Sequence, residues 1–113
     1  MANFKIAYGK TNKWEGGYAN VAGDNGGETY AGITRKNFPH WKGWGIVDRR
    51  KPLKNGAIIS DSALEGLIHD FYKTEFWDKI GGDNIEYQEL ADQLYDQAVN
   101  GGVPSALKIL KQS

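Results

Sequence analysis

The chain has 113 residues, 40% hydrophobic and 25% charged, with no cysteine and a formal net charge of zero. That length supports one domain with a real core. The missing cysteines exclude a disulfide framework and a thiolate metal site, and no apolar run approaches the roughly 20 residues that a membrane-spanning helix needs. Glycine is abundant, with 15 in all and six between Gly16 and Gly32. Glycine crowded into so short a stretch means tight backbone turns. The charge is uneven. Residues 1–54 hold ten Lys/Arg against four Asp/Glu (+6), and residues 55–113 hold four against ten (−6). A basic half attracts anionic polymers, but helices with acidic solvent faces explain the same split. Met1-Ala2-Asn3-Phe4-Lys5 lacks the apolar core of a signal peptide. The sequence therefore predicts synthesis in the cytoplasm and delivery to any outside target by a separate route.

In chain order, Asn3 caps a first helix from Phe4, with Phe4, Ala7, Tyr8, Thr11 and Trp14 at helical spacing and Gly16-Gly17 ending it. From Tyr18 to Thr34 short extended pieces flank Asp24-Asn25-Gly26-Gly27, which reads as a small hairpin. A short helix over Thr34–Phe38 follows and is stopped by Pro39. Residues 39–59 read as loop, marked by Pro52 and Asn55-Gly56. Ser62 and Glu65 form a capping box ahead of an apolar stripe of Leu64, Leu67, Ile68, Phe71 and Tyr72. Gly81-Gly82 breaks that helix. The next carries Tyr87, Leu90, Ala91, Leu94, Tyr95, Ala98 and Val99 on one face and closes at Gly101-Gly102. Pro104 suits the first turn of a last helix through Ala106, Leu107 and Leu110. The expected class is α+β, mainly α, with a small β-hairpin after the first helix.

The front of the chain carries the chemistry. Glu15 precedes Gly16-Gly17-Tyr18, and Asp24 comes nine residues after it. Cleaving a glycosidic bond takes one carboxyl that is protonated near neutral pH and one that stays ionised. At the end of the first helix, Glu15 meets the negative pole of the helix dipole, which favours the neutral acid. Trp14, Tyr18 and Tyr30 supply apolar walls that push the same way. Asp24 sits among glycines whose backbone N–H groups favour its charged form. Thr29 can orient a water. Taken singly, each residue has a plainer reading: a solvated glutamate, and an aspartate in an ordinary hairpin turn.

The joint pattern has a relative. The run Glu15-Gly16-Gly17-Tyr18-Ala19-Asn20, then Asp24-Asn25-Gly26-Gly27-Glu28-Thr29-Tyr30-Ala31-Gly32-Ile33-Thr34, resembles the signature of glycoside hydrolase family 108. The likeness continues through Phe71-Tyr72, Phe76-Trp77-Asp78-Lys79-Ile80, Leu90-Ala91-Asp92, Asp96 to Gly102 and Ala106 to Leu110. It implies a lysozyme-like fold over residues 1–113, with a cleft between the hairpin and the helices. It also implies an N-acetylmuramidase of the kind found in phage endolysins and in bacterial proteins once labelled secretion activators. Glu15 maps onto the family's catalytic acid. Phage-type lysozymes of a related family place an Asp nine residues after their Glu, where Asp24 stands, and a Thr one residue beyond the position of Thr29. That likeness implies an inverting outcome. The implied partner is cell-wall peptidoglycan. Family members usually continue into a C-terminal peptidoglycan-binding region. Its absence or truncation here implies exposed apolar surface that favours self-association. The stretch Gly43 to Ile59 departs from the family's pattern.

The remaining features are weighed beside this. Trp41 and Trp44 lie in a stretch read as polar loop and are candidates to stack on sugar, with Tyr18 and Tyr30, whereas Trp77 is expected in the core. Asn100, near a helix end, either touches sugar or caps the chain. Arg49, Arg50, Lys51 and Lys54 form a basic cluster with no recognised nucleic-acid motif, so a solvated loop is expected and no nucleic-acid partner. His40 and His69 are far apart, and the Asp24 turn lacks the ligand pattern of a calcium loop, so no metal and no cofactor are expected. The rival functions are a chitosanase or chitinase of the lysozyme-like group, and a wall-binding or assembly factor without activity.

Overall fold

The computed structural model describes residues 2–12, 17–20 and 27–112. The chain forms two compact units, one from Met1–Trp14 with His69–Ser113, the other from Glu15–Ile68. The helices α1 (Phe4–Thr11), α2 (Gly43–Arg49), α3 (Ser62–Tyr72), α4 (Gln88–Gly101) and α5 (Val103–Gln112) accompany three short strands, β1 (Tyr18–Asn20), β2 (Glu28–Tyr30) and β3 (Ile33–Thr34). The chain is thus α+β and mainly α, as its sequence indicates.

In the first unit, Asn3 caps α1 by accepting the Lys5 N–H at 2.8 Å. The helix ends at Thr11 with Asn12 as its cap, short of the glycines expected to stop it. Its Phe4 and Ala7 are buried. Phe4 meets Trp77 and Tyr95 with ring centroids 5.5 Å away in both cases, the Tyr95 contact edge-to-face. Tyr95 donates its hydroxyl hydrogen to Asn12 Oδ1 at 2.5 Å, and Trp77 donates its indole N–H to Asp83 Oδ1 at 2.8 Å. Buried aromatics with polar tips thus find partners, as burial demands. The α4 residues Ala91, Leu94, Tyr95 and Ala98 form the buried stripe and pack toward α1 and α5. Tyr87, expected on that stripe, is the exposed N-cap instead. After α3 the backbone does not break at once. It widens into a π-helical stretch over Lys73–Trp77 and turns at Gly81, whose backbone is left-handed (φ 66°). Gly102 closes α4 (φ 95°), and Pro104 falls in the first turn of α5, both as expected.

In the second unit the strands pair antiparallel in the order β1-β2-β3, one strand more than a hairpin. Tyr18 stands opposite Tyr30, Ala19 opposite Thr29 and Asn20 opposite Glu28. On the other side Thr29 faces Thr34 and Tyr30 faces Ile33. Ala31 (φ 50°) and Gly32 (φ 81°), both left-handed, form the two-residue link from β2 to β3. The helix expected over Thr34–Phe38 is a turn, held by the Phe38 N–H on Thr34 O at 3.0 Å.

The stretch 39–59, read as loop, holds α2, which buries Gly43, Trp44, Ile46 and Val47. Two glycines in seven residues disguise it. At Gly43 the glycine serves packing: a Cβ there would stand 2.3 Å from the Trp41 ring. The α3 cap also differs by one position. Asp61 Oδ1 accepts the Leu64 N–H at 3.1 Å, while Ser62 is already the first helical residue.

Candidate active site

Of the residues expected to do chemistry, Glu15 and Asp24 lie outside the described residues, as does Trp14. The strands on either side of Asp24 are described, and their register sorts the second unit's side chains onto two faces. Tyr18, Tyr30 and Ile33 share one face and are buried. Ala19, Thr29 and Thr34 share the other and are half-buried. Period-two alternation makes this separation obligatory. Thr29 therefore lies on the face away from the buried tyrosines, half-buried, with Thr34 directly opposite. Thr34 Oγ1 has no hydrogen-bond partner among the described residues.

Tyr18 and Tyr30 are interior residues, 6% and 3% exposed, not an open platform for sugar. Their hydroxyls are in use. Tyr18 donates to Glu28 Oε2 at 2.8 Å, and Tyr30 accepts the Ile59 N–H at 2.8 Å. Trp44 departs from its expectation most clearly. It lies on α2, only 2% exposed, with its indole N–H on Phe38 O at 2.9 Å. Trp41 is half-buried and meets Trp44 edge-on at 5.4 Å. Asn100, in the first unit, is exposed on α4, and its amide returns to Asp96 O at 3.0 Å and Asp96 Oδ1 at 3.1 Å. Gly102, not Asn100, ends that helix.

The sequence reading missed a charge cluster under the sheet. Glu28, its side chain 12% exposed, receives Arg35 Nη1 at 2.9 Å and Lys51 Nζ at 2.5 Å in addition to Tyr18. Arg35 also grips both oxygens of Asp48 at 2.8 and 2.9 Å, the bidentate geometry a guanidinium fork favours. Lys51 reaches Asp48 at 3.0 Å. Burial pulls the Glu28 carboxyl upward, but hydrogen bonds from Lys51, Tyr18 and Arg35 outweigh it and hold its pKa below the ordinary value. Arg35 first, then Lys51, holds Asp48 well below the usual carboxylate range. Glu28 raises Lys51, with help from Asp48. Two acids and two bases thus neutralise each other, tying β2 to α2 and to the turn after it. Part of the basic run 49–54 is consumed here, and Arg50 stands 3.8 Å from Asp61.

The backbone around β1 explains one glycine of the Glu15 motif. Residues 56–57 run along the edge of β1 that β2 leaves free. The Tyr18 N–H bonds to Ala57 O at 2.8 Å and the Gly56 N–H to Tyr18 O at 2.7 Å. A Cβ on Gly17 would stand 1.9 Å from the Ala57 carbonyl oxygen. Only glycine admits that approach.

Among the described residues no group of three or more His, Cys, Asp or Glu side chains could hold a metal ion. No described helix is long and apolar enough to cross a membrane. Two grooves open on the first unit, one beside the start of α1 and one lined by Ile80, Ile85, Tyr87 and Leu110, and neither contains a residue of the expected site.

The described strands set the Thr29 and Thr34 side chains opposite one another on one face of the sheet. The sequence matches the family described as Glycosyl hydrolase 108 over residues 8–102. The chain belongs to that family, and it is a glycoside hydrolase. No curated protein gives a significant match, and no solved structure does.

Proposed function

We propose that the chain is an N-acetylmuramidase that hydrolyses the β-1,4 bond between N-acetylmuramic acid and N-acetylglucosamine in peptidoglycan. The observation that carries this reading is the family match over residues 8–102, which includes Glu15, Asp24 and Thr29 in one continuous segment. In this mechanism Glu15 gives its proton to the glycosidic oxygen as the C1–O bond breaks. Positive charge builds on the sugar ring, and the Asp24 carboxylate stabilises it. Water then adds to C1 from the opposite face and loses its proton to Asp24, with inversion. Thr29 is half-buried on the face of the sheet away from Tyr18 and Tyr30, which supports its role in holding that water. Trp41, half-buried rather than interior, is the aromatic best suited to meet a sugar edge.

Product analysis tests the reading. Purified peptidoglycan is digested, the new reducing ends are reduced with borohydride, and the reduced sugars are identified by mass spectrometry. Reduced N-acetylmuramic acid is expected. Reduced N-acetylglucosamine would contradict a muramidase. Cleavage of chitosan with peptidoglycan left intact would mark a chitosanase, and wall binding without any new reducing ends would mark a binding factor.

A further inference from the structure

On the first unit a groove of about 470 Å³ opens between the turn after the π-helical stretch, the start of α4 and the end of α5. That volume suits a small ligand. Its floor is hydrocarbon: Ile80 and Ile85 are buried, and Leu90 and Leu110 are half-buried. Its rim is Glu86 and Tyr87, both exposed, Tyr87 by 67%. Glu86 is the only charged side chain among the described residues that line the groove. Neither its carboxylate nor the Tyr87 side chain has a hydrogen bond, ion pair or ring contact among the described residues. The backbone on both sides of this pair is held. Ile85 O accepts the Ala2 N–H at 2.9 Å, and Tyr87 O accepts the Ala91 N–H at 3.1 Å. Gln88 is tied to Asn3 twice, accepting its N–H at 2.6 Å and donating to its carbonyl oxygen at 3.1 Å. The rim is therefore formed before any ligand arrives, which lowers the cost of binding.

From this we infer that the groove binds the ammonium-tipped aliphatic side chain of a diamino acid in a peptidoglycan stem peptide. The inference deepens the peptidoglycan reading and rests on it. The groove's own chemistry selects the ligand. A carboxylate without a counter-ion attracts a cation and repels phosphates and carboxylates. Four aliphatic side chains suit hydrocarbon and leave the hydroxyls of a sugar without partners. A diamino-acid side chain supplies both parts in the order needed. Its methylenes lie along the floor while its charged end reaches the edge, as long cationic side chains do on apolar surface. There the ammonium meets the Glu86 carboxylate and the face of the Tyr87 ring. The groove holds wall polymer by its peptide and takes no part in bond cleavage.

The test titrates the full chain, isotope-labelled for NMR, with a synthetic stem pentapeptide that carries lysine at its third position. The same peptide acetylated on the lysine side-chain amine is the control. The free-amine peptide should shift amides over residues 85–90, and acetylation should weaken binding by at least roughly fivefold, because it removes both charge contacts. Glu86→Gln should weaken the free-amine peptide roughly threefold and Tyr87→Ala roughly fivefold. Tyr87→Phe keeps the ring and should bind as wild type does. Because both side chains are exposed, the variants are expected to unfold at the wild-type temperature. In turnover, the ratio of KM on stem-bearing peptidoglycan to KM on stem-free glycan strands should rise in Glu86→Gln and Tyr87→Ala. Equal binding of the acetylated peptide, wild-type affinity in both variants, an unchanged KM ratio, or groove shifts from N-acetylglucosamine oligomers and not from the peptide would each overturn the inference while the muramidase reading stands. Peptide binding with no reducing ends released from either polymer would keep the groove and overturn the muramidase reading.

Discussion

At the scale of single residues, Glu28 carries a burden that its position along the chain does not announce. Its partners Arg35 and Lys51 come from the segments after β3 and after α2 and also hold Asp48 between them, and nothing in one-dimensional spacing reveals that they meet. Replacing Glu28 with Gln leaves Lys51 and Arg35 each short of one anion in a mostly buried setting. The expected loss is about 1–2 kcal/mol, read as a fall of roughly 5–10 °C in Tm. Asp48→Asn acts where the carboxylate is 42% exposed, so solvent screening keeps its effect below about 1 kcal/mol. The pH dependence follows from the direction of the shifts. Both carboxyls lie below their ordinary values of 4.5 and 3.8 in the folded chain. Their contribution is therefore complete above about pH 4.5 and is lost as pH falls from there through the folded-state values. Urea titrations of wild type should show a constant midpoint between pH 7 and 5 and a decline below 4.5. In Glu28→Gln that acid decline should be shallower. An equally steep decline would show that Glu28 does not carry it.

At the scale of elements, α1, α3, α4 and α5 were legible and α2 was not. The stripes of α3 and α4 repeat over three turns or more, and residues such as Leu64, Ile68, Phe71, Ala91, Leu94, Tyr95 and Ala98 are buried as their spacing predicts. In contrast α2 has seven residues and two glycines, too few for periodicity to outweigh residues that ordinarily break helices. Its Trp44 was misplaced for the same reason, since an indole in a presumed loop reads as exposed. The start of α3 was displaced by one residue because Asp61 and Ser62 both have capping side chains. Substitution separates them: Asp61→Ala should cost about 1 kcal/mol and Ser62→Ala close to nothing, measured as urea midpoints. Equal effects would return the cap to Ser62. On β1, Gly17→Ala forces the chain apart at Ala57 and should cost about 1–3 kcal/mol or more. Activity should fall further than the lost stability accounts for, because the shift occurs within the Glu15 motif. Full activity in that variant would detach the 56–57 segment from the site.

At the scale of the whole molecule, sequence pattern identified the chemistry earlier than the fold did. Glu15, Asp24 and Thr29 drew notice as residue types at a spacing, and the family match over residues 8–102 assigns the chain to the glycoside hydrolases. The described strands add what spacing could not: Thr29 on one face, Tyr18 and Tyr30 on the other, buried one, and Ile58 exposed beside Gly17. The faces were not legible beforehand because three-residue strands hold too little alternation to set a register. Each unit also keeps its own core, aromatic around Phe4, Trp77 and Tyr95 in the first and built on Tyr30, Ile33, Trp44 and Val47 in the second.

The central claim is that Glu15 is the proton donor of a peptidoglycan hydrolase. Its most direct test is release of reducing ends from purified peptidoglycan by wild type and by Glu15→Gln, which keeps the side-chain shape and removes the acid. The account predicts activity in wild type and a loss of at least about a hundredfold in the variant, the low end of what general acid catalysis contributes. Equal activity in both proteins would contradict it and place the catalytic acid elsewhere in the chain.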